Sequence, residues 1–146
     1  MGNEPRIIVD TGPLVALLRK GDQFHEWATA VVRGLPSPFI TSEAVISEAC
    51  YLLERDEVPV DPLFAMFSRG AIVVDFDLQG EWPSILGLMK KFSDMPKGRM
   101  SLADAILVRL AELHDEAQVF TVESHFRIYR KHGRRQIPLI IPESVR

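Results

Sequence analysis

The segment Arg6-Ile-Ile-Val-Asp-Thr-Gly-Pro-Leu-Val-Ala-Leu-Leu constrains the fold most, because a three-residue β-rich run turns into a helix with no room for a loop. Ile7 to Val9 carry the branched side chains that suit a strand. Pro13 falls in the first turn of the following helix, where a missing N–H costs nothing. The same order of strand, tight turn and helix recurs downstream. Phe39-Ile40 leads into a helix from about Ser42 to Glu54, and Ala71-Ile-Val-Val leads into one over residues 78 to 92 despite Pro83. Gln118 to Thr121 and Pro138-Leu-Ile-Ile supply two more strands. Asp22 is placed to cap a helix through about Val32, and a short helix near Leu63 to Ser68 follows the break between Pro59 and Pro62. Met95-Pro-Lys-Gly-Arg reads as a flexible connector, and Leu102 to His114 as a strong amphipathic helix. Strands alternating with helices argue for a mostly parallel sheet covered on both faces, with its ligand site beyond the C-terminal ends of the strands.

A chain of 146 residues fits a single domain, 1–146, in which folding removes about two thirds of the chain's surface from water. Hydrophobic residues at 47% and charged residues at 25% exclude a disordered chain. No apolar run approaches the roughly 18 residues needed to span a bilayer, and the N-terminus lacks a signal-peptide core. The expectation is a cytoplasmic protein with no membrane partner. Cys50 is the only cysteine, which excludes an internal disulfide and a thiolate cluster and suits a small buried apolar residue. Residues 1 to 75 carry 6 Lys and Arg against 11 Asp and Glu, whereas residues 76 to 146 carry 11 against 9. Much of that basic excess lies in Arg127, Arg130, Lys131, Arg134 and Arg135. These residues suit phosphate contacts, or equally a solvated helix end where basic groups offset the dipole.

Four acids stand at the ends of these elements. Asp10 ends the first strand and Glu123 lies just past the Val119-Phe-Thr strand, so a parallel sheet brings both to one edge. Glu48 falls beside the apolar arc of Val45, Ile46, Ala49, Leu52 and Leu53. Asp104 lies close in angle to Leu107 and Ala111, which aims its charge inward. Each acid also has a plainer role open to it. Ser101-Leu-Ala-Asp104 fits a helix-capping box, Asp10 and Glu123 suit helix N-termini, and Glu48 suits an ion pair. Taken together, like charges about 4 Å apart repel by about 4 kcal/mol at an effective dielectric near 20, which calls for a cation or for protonated acids. Oxygen-only ligation selects Mg²⁺ or Mn²⁺ over zinc, and His25, His114, His125 and His132 show no metal-ligand spacing. The chemistry natural to such a centre is phosphodiester hydrolysis with a metal-activated water as nucleophile.

Ile7-Ile-Val-Asp-Thr-Gly-Pro-Leu-Val-Ala-Leu-Leu, Ser42-Glu-Ala-Val-Ile-Ser-Glu-Ala-Cys-Tyr-Leu-Leu, Leu102-Ala-Asp-Ala-Ile-Leu-Val and Phe120-Thr-Val-Glu-Ser-His-Phe together resemble the ordered motifs of PIN-domain ribonucleases, over almost the whole chain. The resemblance implies a three-layer α/β/α sandwich with a parallel sheet and RNA cleavage dependent on Mg²⁺ or Mn²⁺. In a compact chain it further implies the VapC toxins of type II toxin-antitoxin systems, with an antitoxin partner and a homodimer. Carried over by position, Asp10 and Asp104 are the metal-site acids, and Glu48 and Glu123 complete the catalytic set. Thr11 and Thr121 match hydroxyl positions near that site, or serve as turn and cap residues. Two features depart from the pattern. Thr121-Val-Glu-Ser-His-Phe has a longer acid at Glu123 and His125 where a further acid is usual. Asp94, which resembles an acid ahead of the third motif, is separated from Asp104 by a long connector.

A non-catalytic interaction module, in which the acids only fix helix ends, is the competing class. In a module of that kind the helices between Ser42 and Ser68 would bind a partner protein. A haloacid-dehalogenase-like phosphatase is disfavoured, because Asp10-Thr-Gly lacks the second aspartate two residues on. Trp27, Phe64, Phe67 and Trp82 serve as core residues or as candidate dimer contacts.

Overall fold

The computed structural model describes residues 6–146. Its centre is a five-stranded sheet built from β1 (Ile7–Val9), β2 (Phe39–Thr41), β3 (Ile72–Val74), β4 (Gln118–Phe120) and β7 (Leu139–Ile140). The strand order is β3-β2-β1-β4-β7 and every pairing is parallel. Parallel neighbours cannot be joined by hairpins, so helices cross over between them and cover the sheet. Those helices are α1 (Thr11–Leu18), α2 (His25–Val32), α3 (Glu43–Arg55), α4 (Asp61–Ser68), α5 (Leu78–Lys91) and α6 (Leu102–Leu113). The chain is thus an α/β/α sandwich, as expected, with the C-terminal ends of its strands along one edge.

The core explains why strands of two or three residues suffice. All three residues of β1 and of β2 are buried, as are Leu14, Val15, Val45, Ala49 and Leu53 on the helices of one layer. On α6, Ala105, Ile106, Leu107, Val108, Leu110 and Ala111 are buried, so this helix is apolar over most of its circumference. Such a helix is held by its surroundings on several sides rather than along one stripe. Trp27 is partly buried against Phe120, with ring centroids 5.5 Å apart, and Phe67 is partly buried as well. Phe64 and Trp82 are 50% and 54% exposed. Cys50 is only partly covered, not fully buried as expected.

Two local expectations are corrected. Asp22 does not cap α2 directly. Its carboxylate accepts the Phe24 N–H at 2.9 Å, a side-chain turn that closes one residue before the helix and leaves Phe24 as the flanking position. The basic stretch is not a solvated helix end. Ser124–Arg127 form a single 3₁₀ turn, after which β5 (Arg130–Lys131) and β6 (Arg135–Gln136) pair as a small antiparallel hairpin. Its loop carries His132 at φ 51° and Gly133 at φ 82°, the left-handed conformations that a tight reversal needs. Among the described residues, no helix is long and apolar enough to cross a membrane.

Candidate active site

The C-terminal ends of β1 and β4 and the N-terminal turns of α1 and α6 open onto one cleft of about 640 Å³. Asp10, Glu48, Asp104 and Glu123 all line it, together with His125 and Arg99. The four acids picked out by their positions in the sequence therefore share one cleft. Asp94 does not. It is exposed in the connector after α5 and lies outside the cleft lining. A somewhat larger recess of about 760 Å³ lies elsewhere, between α2 and β7, where Phe24, Trp27, Val31 and Leu139 line it together with Gln23, Glu143 and Ser144. Chemistry belongs to the smaller cleft, which gathers the titratable groups.

Asp10 is 4% exposed and is the flanking residue of α1. Its Oδ1 accepts the Thr11 N–H at 2.7 Å, and its Oδ2 accepts the Thr121 hydroxyl at 2.7 Å. Thr121 in turn accepts the Glu123 N–H at 2.9 Å, so one hydroxyl ties the exit of β4 to the exit of β1. Burial, followed by the charge of Asp104, pushes the Asp10 carboxyl up from 3.8 to about 7. The donors Thr121 and Thr11 oppose that shift, and the charge of Glu123 adds to it. Burial of a carboxyl beside neutral donors raises its pKa, and a second acid nearby adds to the effect.

Asp104 separates its plain role from its chemical one. Ser101 caps α6 by accepting the Asp104 N–H at 3.1 Å, so the helix N-terminus is satisfied by a hydroxyl. The Asp104 carboxylate instead accepts the Tyr129 hydroxyl at 2.7 Å. Burial raises the Asp104 pKa, against the lowering effects of the Tyr129 and Ser101 hydroxyls and of His125. Glu48 and Glu123 sit differently, since both side chains are exposed. Glu48 Oε2 accepts the Thr11 hydroxyl at 3.2 Å, and Glu123 flanks the 3₁₀ turn without capping it through its side chain. Inner and outer acids are thus distinguished by burial.

Gly12 keeps the two strand exits close together. A methyl group there would run into Val122 Cγ2, and the stiff β-branched side chain of Val122 has few alternative rotamers.

Oxygen donors in an anionic cleft fit a hard divalent cation, which takes one or two carboxylates and completes its shell with water. Asp10 and Asp104 meet that requirement. Burial and then the charge of Asp104 disfavour the ionised form of Asp10, which a divalent charge would favour. Among the described residues, no three His, Cys, Asp or Glu side chains are drawn together as a ready-made cage. An all-protein site of the zinc or calcium type is not what the donor set resembles.

Of the five basic residues expected to meet phosphates, three are engaged within the protein. Lys131 is 6% exposed and donates to the Ala111 carbonyl at 3.2 Å, in the last turn of α6. Burial among helix-end carbonyls takes it out of reach of a ligand. Arg130 donates to the carbonyls of Arg127, Ile128 and Tyr129, and Arg127 donates to the Val145 carbonyl. Arg134 and Arg135 remain exposed. Sequence reasoning missed Arg99 on the cleft wall, in a connector read only as flexible, and it missed Tyr129.

A family model described as PIN domain matches residues 7–131. Among solved structures, VapC20 of Mycobacterium tuberculosis, a toxin that cleaves the sarcin-ricin loop, is similar in fold with a TM-score of 0.61. It is 21% identical, over 77% of this chain and 86% of that one. No curated protein matches the chain.

Proposed function

This chain belongs to the PIN-domain family, and from that premise we propose that it is an endoribonuclease dependent on Mg²⁺ or Mn²⁺ which hydrolyses RNA phosphodiester bonds. We place it as the toxin of a type II toxin-antitoxin system, with residues 1–146 forming one catalytic domain. The observation that carries the reading is the convergence of Asp10 and Asp104 from distant parts of the sequence into one open cleft, where burial and neighbouring charge disfavour ionised Asp10 and a divalent cation would favour it. The fold likeness to VapC20 supports the same class. A cognate antitoxin, a homodimer and a cytoplasmic location belong to this reading. RNA is its substrate class.

Asp10 and Asp104 would hold the cation, with Glu48 and Glu123 reaching it through water from the rim. When bound, such an ion supplies a more acidic attacking water and neutralises charge at the leaving oxygen. The protein's own groups do the rest. Thr121 and the Thr11 N–H fix both oxygens of Asp10, and Thr11 holds Glu48 by its hydroxyl. Arg99 on the cleft wall, with Arg134 and Arg135, offers charge to the RNA backbone.

A scaffold reading, in which the acids serve only to fix helix ends, is disfavoured by one detail. Ser101 already caps α6, so the Asp104 carboxylate has no capping work to do. The test is cleavage of a structured RNA with Mg²⁺ or Mn²⁺, repeated with EDTA and with Asp10→Asn and Asp104→Asn. Loss of cleavage in all three is expected. Cleavage that survives both substitutions would sink the proposal.

A further inference from the structure

Tyr129 is one of the largest fully buried side chains, and its hydroxyl spends its hydrogen bond on Asp104 Oδ2, at 2.7 Å. The ring has little freedom to move. Phe92 and Phe126 pack edge-on against it, with centroids 5.2 and 5.1 Å away. Its backbone is held as well, since its N–H donates to the His125 carbonyl at 3.1 Å and its carbonyl accepts from Arg130 at 3.0 Å. Rings in such edge-on packing have defined orientations, so the hydroxyl is aimed rather than merely near.

We infer that Tyr129 is a positioning residue for Asp104: it occupies one oxygen of the carboxylate and fixes the rotamer, so that a divalent cation in the cleft is held through the other oxygen. The inference rests on the metal reading of the cleft. A carboxylate on the first turn of a helix has several rotamers available, and only an outside partner selects one. Ser101 cannot do this, because its hydroxyl serves the backbone as the helix cap. Tyr129 therefore acts on Asp104 as Thr121 acts on Asp10, and the two inner acids are each held by a buried hydroxyl from beyond β4. Outer partners of metal ligands commonly set affinity by 10- to 100-fold.

Metal binding without RNA provides the test. Mn²⁺ titrations should show Tyr129→Phe binding about 10-fold more weakly than the wild type, under conditions where both are folded. On an Asp104→Asn background the same change should have no further effect on Mn²⁺ affinity. A role confined to packing would lower the melting temperature in EDTA and leave the Mn²⁺ affinity unchanged, which would overturn the inference. A second measurement needs no variant. The chain has two tyrosines, and Tyr51 is 66% exposed on α3. In protein labelled with 3-fluorotyrosine, Mg²⁺ should shift the ¹⁹F resonance of Tyr129 and leave that of Tyr51 in place. A stationary Tyr129 signal while calorimetry records Mg²⁺ binding would refute the positioning role alone. Absence of any metal binding would remove the nuclease reading and this inference together. RNA cleavage that needs Mg²⁺ but is indifferent to Tyr129→Phe at every Mg²⁺ concentration would leave the nuclease reading standing and this one refuted.

Discussion

Replacing Asp10 by asparagine should stabilise the metal-free protein while abolishing its activity. Asp10 holds its proton up to about pH 7 in the fold, against an ordinary value of 3.8. Below pH 3.8 the carboxyl is protonated both folded and unfolded, and burial carries no ionic cost. As pH rises, the unfolded chain ionises first and the folded state loses stability, a loss complete once pH passes the folded value. At about 1.4 kcal/mol for each tenfold change in proton affinity, the full cost is about 4 kcal/mol, of which about 2 to 3 kcal/mol develops between pH 5 and pH 8. Asparagine carries no charge but disturbs the bond from Thr121, which takes back about 1 kcal/mol. Urea denaturation in EDTA should therefore find Asp10→Asn more stable than the wild type by about 1 to 3 kcal/mol at pH 8, with the difference shrinking towards pH 5. Mg²⁺ should then restore stability to the wild type and not to the variant. A variant less stable than the wild type at pH 8, by an amount that does not change with pH, would refute the argument.

Thr121→Val removes the donor to Asp10 and the acceptor for the Glu123 N–H. It should cost about 1 to 3 kcal/mol in denaturation and weaken Mn²⁺ binding. Gly12→Ala should destabilise by about 1 to 3 kcal/mol through overpacking against Val122, read as a lowered urea midpoint with an unchanged slope. Lys131→Met should lower stability by about 1 to 2 kcal/mol through the lost bond to Ala111 and leave RNA affinity unchanged. Arg134→Ala with Arg135→Ala should do the reverse, weakening RNA binding and flattening its salt dependence.

The parts of this fold that the sequence declares are those in which the local pattern and the tertiary demand agree. Ile7–Val9 have branched side chains, are buried on all sides and run directly into Pro13's helix. The Leu102 helix is legible because Ala105, Ile106, Leu107, Val108, Leu110 and Ala111 are buried while Arg109 and Glu112 stay on its less covered side. Asp10 and Asp104 were legible by the same route, as charges at positions the pattern reserves for the interior. The hairpin of Arg130 to Gln136 was not, because its strands are two residues long and carry four polar side chains with no alternation. What holds it is Lys131 reaching a carbonyl of α6 and Glu112 accepting the His132 N–H at 2.7 Å, and neither contact leaves a periodic trace. Tyr129 escaped for a related reason. An aromatic in a basic run, three residues after Phe126, looks like core filling, and only its hydrogen bond to Asp104 gives it another meaning.

β1 is the middle strand, and its partner β4 arrives late, so that Ile7 lies beside Gln118 and Asp10 waits for a hydroxyl 111 positions further along. A ribosome making this protein therefore carries a chain whose Asp10 lacks the Thr121 hydroxyl for most of its synthesis. Until β4 and the segment bearing Tyr129 emerge, the nascent polypeptide holds Asp10 and Asp104 without the groups that aim them. The order of translation therefore makes the surroundings of Asp10 one of the last features of the fold to form.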